Sequence, residues 1–385
     1  MKSLVLNKIS SLYDFFHSVS PPSLGIFNGK MGLVNFFFNH YLVFEEESSF
    51  QKVENLVEEV VNALANKNFD EYGASFAEGM AGIGYLLSVL DKKKVLDQDL
   101  SNILKAIDEY LFEEAYDMLL DDNFDYLYGA LGIVYYFQSR LPNTKVEKYL
   151  NSFINLIGEK AIQDELGIRF PSTSKDGKLY VNFSLSHGLT GILLVLIQVY
   201  KKGLQNPLIR DIVVGGIQYM LNFRGKINFS EGNYGYFPFA VFPELDTPNF
   251  GKRLGWCYGD LNQTILLYRS NEIIENPAYK KLGDLVGTQT LMRQDVESTA
   301  INDIYFCHGT AGLAQFYKTL YDISGLKSYY QGYEYWLEQT LLYLYENPQL
   351  DNFSEDFLEG LGGVGLTFLS FISKENLSWS KAILL

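Results

Sequence analysis

Cysteine is scarce in this chain: of 385 residues only Cys257 and Cys307 are cysteines, and there are only four histidines. Long apolar runs are missing too. The longest clean one, Gly191 to Ile197, ends at Gln198, well short of the roughly 18 residues a membrane-spanning helix needs. Basic charge is in deficit, with 31 Lys and Arg against 46 Asp and Glu and a formal net charge of -15. That balance argues against a nucleic-acid binder, which needs a basic face to displace counterions from phosphate. A basic ligand or peptide stays open, and so does a merely solvated acidic surface. The segment Met1 to Lys8 meets charged and polar residues too early for a secretory signal. The sequence thus reads as soluble and cytoplasmic, a setting that disfavours a disulfide between the two cysteines.

What is present is apolar and aromatic. A hydrophobic content of 47%, with 28 Tyr and 28 Phe, supplies a large core, excludes a disordered chain and suits a peptide-binding cleft.

The glycines carry an internal repeat, the first thing to look for in a chain of this length. Seven windows, six of them of the form Gly-x-x-Gly, are led by Gly29, Gly79, Gly129, Gly188, Gly259, Gly309 and Gly360, so the steps are 50, 50, 59, 71, 50 and 51 residues. A period near fifty holds about two helices with their connections. Because the repeat runs through nearly the whole chain, a single domain over 1–385 is expected. Between windows lie amphipathic stripes, such as Val53, Leu56, Val57, Val60, Val61 and Leu64, or Ile103, Leu104, Ile107, Tyr110 and Leu111, or Val146, Leu150, Phe153, Ile154 and Ile157. After each window the sequence is apolar on most faces, as in Ile133 to Phe137 and Ile192 to Ile197, which marks a buried helix. The alternation predicts an all-α fold, an α/α barrel (toroid) of seven inner and seven outer helices, over an open helical solenoid. The paired glycines are read as leaving room where helices converge and allowing a tight turn. Strand signals are weak and confined to long connections such as the one around Arg169. The two enlarged steps add loops that lead into His187 and Cys257, and Arg224 to Leu254 is the longest irregular stretch.

Candidate site residues fall in a narrow band before their lead glycines. Cys257 and Cys307 stand two before, His187 and His308 one before, and Asp125 four before. Two thiolates and an imidazole make a zinc set with an open fourth position, the mark of a catalytic site. The alternative is a pair of buried free cysteines beside an ordinary histidine. His187 likewise has a purely structural alternative. His17 and His40 lie outside the band and receive ordinary structural or surface roles.

The motifs Trp256-Cys257-Tyr258-Gly259, Cys307-His308-Gly309 and Ser186-His187-Gly188, with the seven windows, resemble the lanthionine synthetase C-like family over essentially the whole chain. The resemblance implies a toroid around Zn2+ held by Cys257, Cys307 and His308, with His187 as catalytic histidine, Asp125 as its aspartate, and Arg253 and Tyr258 lining the active site. It implies a lanthipeptide cyclase that adds peptide cysteine thiols to dehydroalanine or dehydrobutyrine. The implied partners are a dehydrated precursor peptide, a separate dehydratase and a peptide transporter, and the implied location is cytoplasmic, with peripheral attachment to a membrane-associated biosynthetic complex as an option. Two departures stand out. Asn262 replaces the second glycine of window five, which is expected to alter the helix start beside Cys257. No step is long enough for the small inserted domain of some relatives. The competing readings are a zinc-retaining peptide scaffold without turnover, and a prenyltransferase-like zinc thiol transferase, which six repeats would suit better than seven.

Overall fold

The structure, a computed structural model, describes residues 1–66, 68–174, 176–242 and 247–385. Each glycine window opens a helix: α2 (Lys30–Phe44), α4 (Met80–Lys92), α6 (Ala130–Ser139), α8 (Leu189–Lys201), α10 (Asp260–Ile274), α13 (Thr310–Ser324) and α15 (Leu361–Ile372). Seven others alternate with them: α1 (Lys2–Ser18), α3 (Glu47–Ala65), α5 (Ser101–Leu120), α7 (Thr144–Lys160), α9 (Pro207–Asn222), α11 (Pro277–Thr290) and α14 (Lys327–Glu346). A four-residue helix, α12 (Val296–Thr299), precedes window six. The glycine-led helices are buried on nearly every face. All ten residues of α6 are buried, as are Leu189 to Ile197 of α8 and Leu361 to Ser370 of α15. The intervening helices bury one stripe, for example Val53, Leu56, Val57, Val60 and Leu64 of α3, with Val61 only half-buried. No helix among the described residues is long and apolar enough to cross a membrane.

The glycines are required for a closer reason than helix convergence. A methyl group on any of the seven lead glycines would collide with the residue six places earlier in its own turn, from Ser23 below Gly29 to Ser354 below Gly360. Gly32, Gly82, Gly191, Gly312 and Gly363, the second glycines of five windows, each meet the carbonyl six residues before them, as Gly82 meets that of Phe76 and Gly312 that of Phe306. The turn folds back so tightly that backbone passes where Cβ would be. Neighbouring windows contribute only in places, as where Ile26 approaches Gly82. Three residues before each lead glycine stands a constant apolar anchor: Ile26, Phe76, Tyr126, Leu185, Trp256, Phe306 and Phe357, every one buried.

Contacts group the chain into two units. The first comprises Met1–Leu111, Asp303–Thr319 and Tyr330–Leu385. In it α15 packs on both α1 and α2, and α2 packs on α3 and α4. Windows hydrogen-bond to one another through backbone groups: Phe27 N–H to Ala77 O at 3.1 Å and Cys307 N–H to Leu358 O at 2.9 Å pair equivalent positions, and Phe357 N–H, one residue earlier in its window, donates to Phe27 O at 2.7 Å. Phe357 stacks on Phe27 at 5.0 Å between centroids and also meets Phe306 and Trp379.

The second unit comprises Phe112–Asn302 and Leu320–Tyr329. Here α8 packs between α6 and α10, with α9 against α7, α8 and α10. Among the described residues the strands lie in the connections before windows four and five, as the sequence suggested. β1 (Ile162–Asp164) and β2 (Gly167–Arg169) form an antiparallel hairpin whose second strand packs on α9. β3 (Ser172–Thr173), β4 (Leu179–Asn182), β5 (Ala240–Phe242) and β6 (Thr247–Asn249) form an antiparallel sheet in that order, with Asn182 opposite Ala240. This small sheet fixes the turn that delivers His187.

Candidate active site

In the second unit, a cavity of about 590 Å³ is lined by Asp125, Phe170, Asn182, His187, Ile192 and Tyr258, among others. Three windows supply its polar groups. In window three the Asp125 carboxylate caps its own turn, one oxygen accepting from Leu127 N–H at 2.7 Å and Tyr128 N–H at 2.8 Å. The other oxygen is 2.6 Å from His187 Nδ1. Asp125 thereby joins two repeats, and the imidazole is fixed with Nδ1 as donor and Nε2 left over. Burial by itself would lower the His187 pKa. The Asp125 hydrogen bond and charge, with a smaller contribution from Cys257, outweigh it, so the pKa lies above the ordinary histidine value.

Tyr258 faces the same cavity. Its hydroxyl is 3.1 Å from Asn182 Nδ2. Burial raises the pKa of the phenol, against the pull of the neighbouring Asn182 and Ser184 side chains. Asp121 and Asp122 add further negative charge to the cavity wall. Arg253 is half-buried and is not among the residues lining this cavity; its carbonyl lies under Gly259.

The departure in window five has a definite structural effect. Gly259 has φ 117°, whereas Gly29, Gly79, Gly129, Gly188 and Gly360 are extended with φ between -110° and -153°. Asn262 reaches back with Nδ2 to the carbonyl of Trp256 at 2.9 Å, the atom that a second glycine would allow to close in. Its Oδ1 accepts from Leu185 N–H at 2.9 Å, tying the turn that carries Cys257 to the turn that carries His187. Cys257 itself is buried, 6% exposed. Asp260, the residue after Gly259, is fully buried and accepts from Tyr236 N–H and Phe237 N–H, each at 2.9 Å. Burial raises its pKa, opposed by those bonds and by Arg293, whose guanidinium lies 3.9 Å away. Arg293 also binds the carbonyls of Tyr234, Lys252 and Ser298. A buried acid and base thus pin the long loop from Arg224 to Leu254 on both sides of its Pro243–Asp246 part, which lies outside the described residues.

In the first unit, donor atoms of Cys307, His308 and Glu359 lie within 4.8 Å of one another. A thiolate, an imidazole and a carboxylate are all zinc donors. Nε2 of His308 is 3.3 Å from Asp303 Oδ2, a carboxylate neighbour of the kind that metal-bound histidines usually have. Asp303 Oδ1 meanwhile caps Tyr305 N–H at 2.9 Å. The donor chemistry therefore fits zinc. Of the expected ligands, Cys307 and His308 are brought together here, while Cys257 belongs to the second unit.

Asp303, Asn182 and Glu359 are functional candidates absent from the sequence reading. Two share a register that could have exposed them. The residue six before each lead glycine is Ser23, Gly73, Asn123, Asn182, Arg253, Asp303 or Ser354, small in every window but the fifth, and in windows four and six its side chain also reaches a site residue. His17 and His40 are packed around Tyr13, with His40 Nδ1 2.9 Å from Ser49 Oγ and its pKa lowered by burial to about 4.

The family profile described as "Lanthionine synthetase C-like protein" matches residues 20–384. No curated protein sequence matches the chain. Among solved structures the chain is similar to one titled "Nisin cyclase", at 17% identity and a TM-score of 0.76 over 99% of this chain and 96% of that one. That likeness shows the all-α fold class expected from the sequence. A D-mannose isomerase (10% identity, 97% of this chain and 96% of that one, TM-score 0.44) and a sugar epimerase from a ruminal bacterium (12%, 89% and 86%, 0.39) are too distant to argue from.

Proposed function

The chain belongs to the lanthionine synthetase C-like family, and from that premise we propose that it is a zinc-dependent lanthipeptide cyclase. It would add cysteine thiols of a dehydrated peptide to dehydroalanine or dehydrobutyrine, forming thioether rings. The observation that carries this reading is the His187–Asp125 pair facing the same cavity as Tyr258.

Attack of a thiolate on the β-carbon of a dehydro residue leaves an enolate that needs a proton at the α-carbon. His187 supplies it from Nε2, because Asp125 holds Nδ1 and favours the charged ring. Tyr258 donates a hydrogen bond to the enolate oxygen. Arg253 is proposed as a second stabiliser of that oxygen, on its family correspondence alone. Zinc would be held by Cys257, Cys307 and His308, and when bound it lowers the pKa of a substrate thiol, ordinarily about 8.5, so that thiolate forms at neutral pH. Asp303 orients His308 for that purpose.

The three aspartates at the cavity suit a peptide with basic residues near the ring-forming pair. The substrate must already be dehydrated, so a separate dehydratase acts first, and a peptide transporter takes the product from the cytoplasm.

The test is incubation with a dehydrated, cysteine-containing peptide. Addition is an isomerisation, so free thiols disappear while peptide mass stays constant. Binding without thiol loss across a broad panel of such peptides would instead identify a scaffold.

A further inference from the structure

Tyr258 can assist the reaction only if its proton, and not a lone pair, faces the substrate. We infer that Asn182 fixes the direction of that hydroxyl, making Tyr258 an obligate donor toward the cavity; the catalytic value of this rests on the cyclase reading above.

The argument begins at the end of β4. Asn182 is 5% exposed, and its Oδ1 accepts from the backbone N–H of Ser184 at 2.8 Å. A backbone N–H can only donate, so the amide cannot be flipped, and Nδ2 must be the atom 3.1 Å from the Tyr258 hydroxyl. Tyr258 oxygen is therefore the acceptor of this bond. The phenol proton lies near the ring plane on one side of the oxygen or the other, and with the Asn182 donor on one side the proton takes the other. Tyr258 lines the cavity, so that proton is the one its hydroxyl offers to a bound group. The same short segment, 182–187, thus aims the Tyr258 donor and carries the histidine that delivers the proton. Asn182 is a positioning residue: it touches Tyr258, and through it the enolate oxygen.

Two substitutions separate this role from a merely structural one. Asn182→Asp keeps the acceptor for Ser184 N–H and replaces the donor facing Tyr258 by an acceptor, which draws the phenol proton inward. Asn182→Ala removes both bonds and leaves the phenol free to turn. The expected result is that Asn182→Asp is the more stable of the two in thermal unfolding yet the less active, with kcat reduced about 100-fold, as for loss of one oxyanion donor, and KM little changed. If activity follows stability, with Asn182→Asp at or above Asn182→Ala, the inference is overturned.

Neutron diffraction of wild-type crystals exchanged into D2O tests the direction without any turnover. Deuterium on Tyr258 pointing into the cavity supports the inference, and deuterium pointing at Asn182 or Ser184 overturns it. Should the deuterium point into the cavity while Tyr258→Phe closes rings at the wild-type rate, the donor assignment stands and the enolate-stabilising role proposed for Tyr258 falls.

Discussion

Asp125 and His187 stand 62 residues apart and meet through a 2.6 Å hydrogen bond, with the carboxylate braced from behind by the N–H groups of Leu127 and Tyr128. The pair raises the histidine pKa, so the protonated ring persists to higher pH than that of a free histidine. Ring closure should therefore decline as pH rises through the raised pKa. Asp125→Asn should move that decline to lower pH, and His187→Ala should keep fold and zinc while losing about 10²- to 10⁴-fold in kcat. The stability effect has a matching sign. A folded-state pKa above the unfolded value of about 6.5 stabilises fully below that pH and loses its contribution as pH rises through the folded value. Asp125→Asn should accordingly lower the melting temperature more at pH 5.5 than at pH 9. A pH profile identical to wild type in Asp125→Asn would break the link between the two residues.

Metal analysis should find one zinc per chain, lost in Cys257→Ala, Cys307→Ala and His308→Ala. Asp303→Asn should bind zinc about 10- to 100-fold more weakly, because the His308 ring loses its orienting carboxylate. Glu359→Gln should retain full stoichiometry, since three protein ligands suffice and the fourth position is left to substrate. Tight, stoichiometric zinc in both cysteine variants would refute the ligand assignment.

Asn262→Gly would restore the repeat pattern and yet should destabilise the protein, by about 1–3 kcal/mol in denaturant unfolding. The variant loses the bonds to Trp256 O and Leu185 N–H that brace the turn carrying Cys257. An equally stable or more stable Asn262→Gly protein would show those bonds to be dispensable.

Arg293→Met should cost about 3–5 kcal/mol, because it strands the buried Asp260 carboxylate and releases three carbonyls. Shortening the exposed tip of the loop at Ser230 to Asn233 avoids those anchors. It should raise KM or change ring selectivity with little change in melting temperature. Kinetics indistinguishable from wild type would remove the loop from substrate recognition.

The helices were legible because glycine spacing and apolar stripes are periodic, and periodicity survives in one dimension. Asp125 and His187 sit at fixed offsets from their lead glycines, but it was the family resemblance, and not the spacing, that singled them out as a pair. What the sequence hid was chemistry folded into turn capping. Asn182 and Asp303 look like ordinary capping residues, and only three-dimensional placement reveals that the atom left over from capping reaches Tyr258 in one case and His308 in the other. Glu359 was hidden differently, because it occupies the offset of His187 and His308 but is a residue type common on exposed turns. The glycine requirement was read correctly in kind and too broadly in cause, since the crowding comes mainly from each turn's own backbone.

The hydrogen bond from Phe357 to Phe27 and the packing of α15 on α1 and α2 mean that the first unit is assembled from distant stretches of chain. Residues 1–111 emerge from the ribosome long before 330–385 exist to cover them, whereas most of the second unit is one continuous run. Contacts of such large sequence separation form slowly. Synthesis therefore imposes an order in which the middle of the chain can settle first. The apolar flank of α2, waiting for α15, is the surface a chaperone would have to shield during translation.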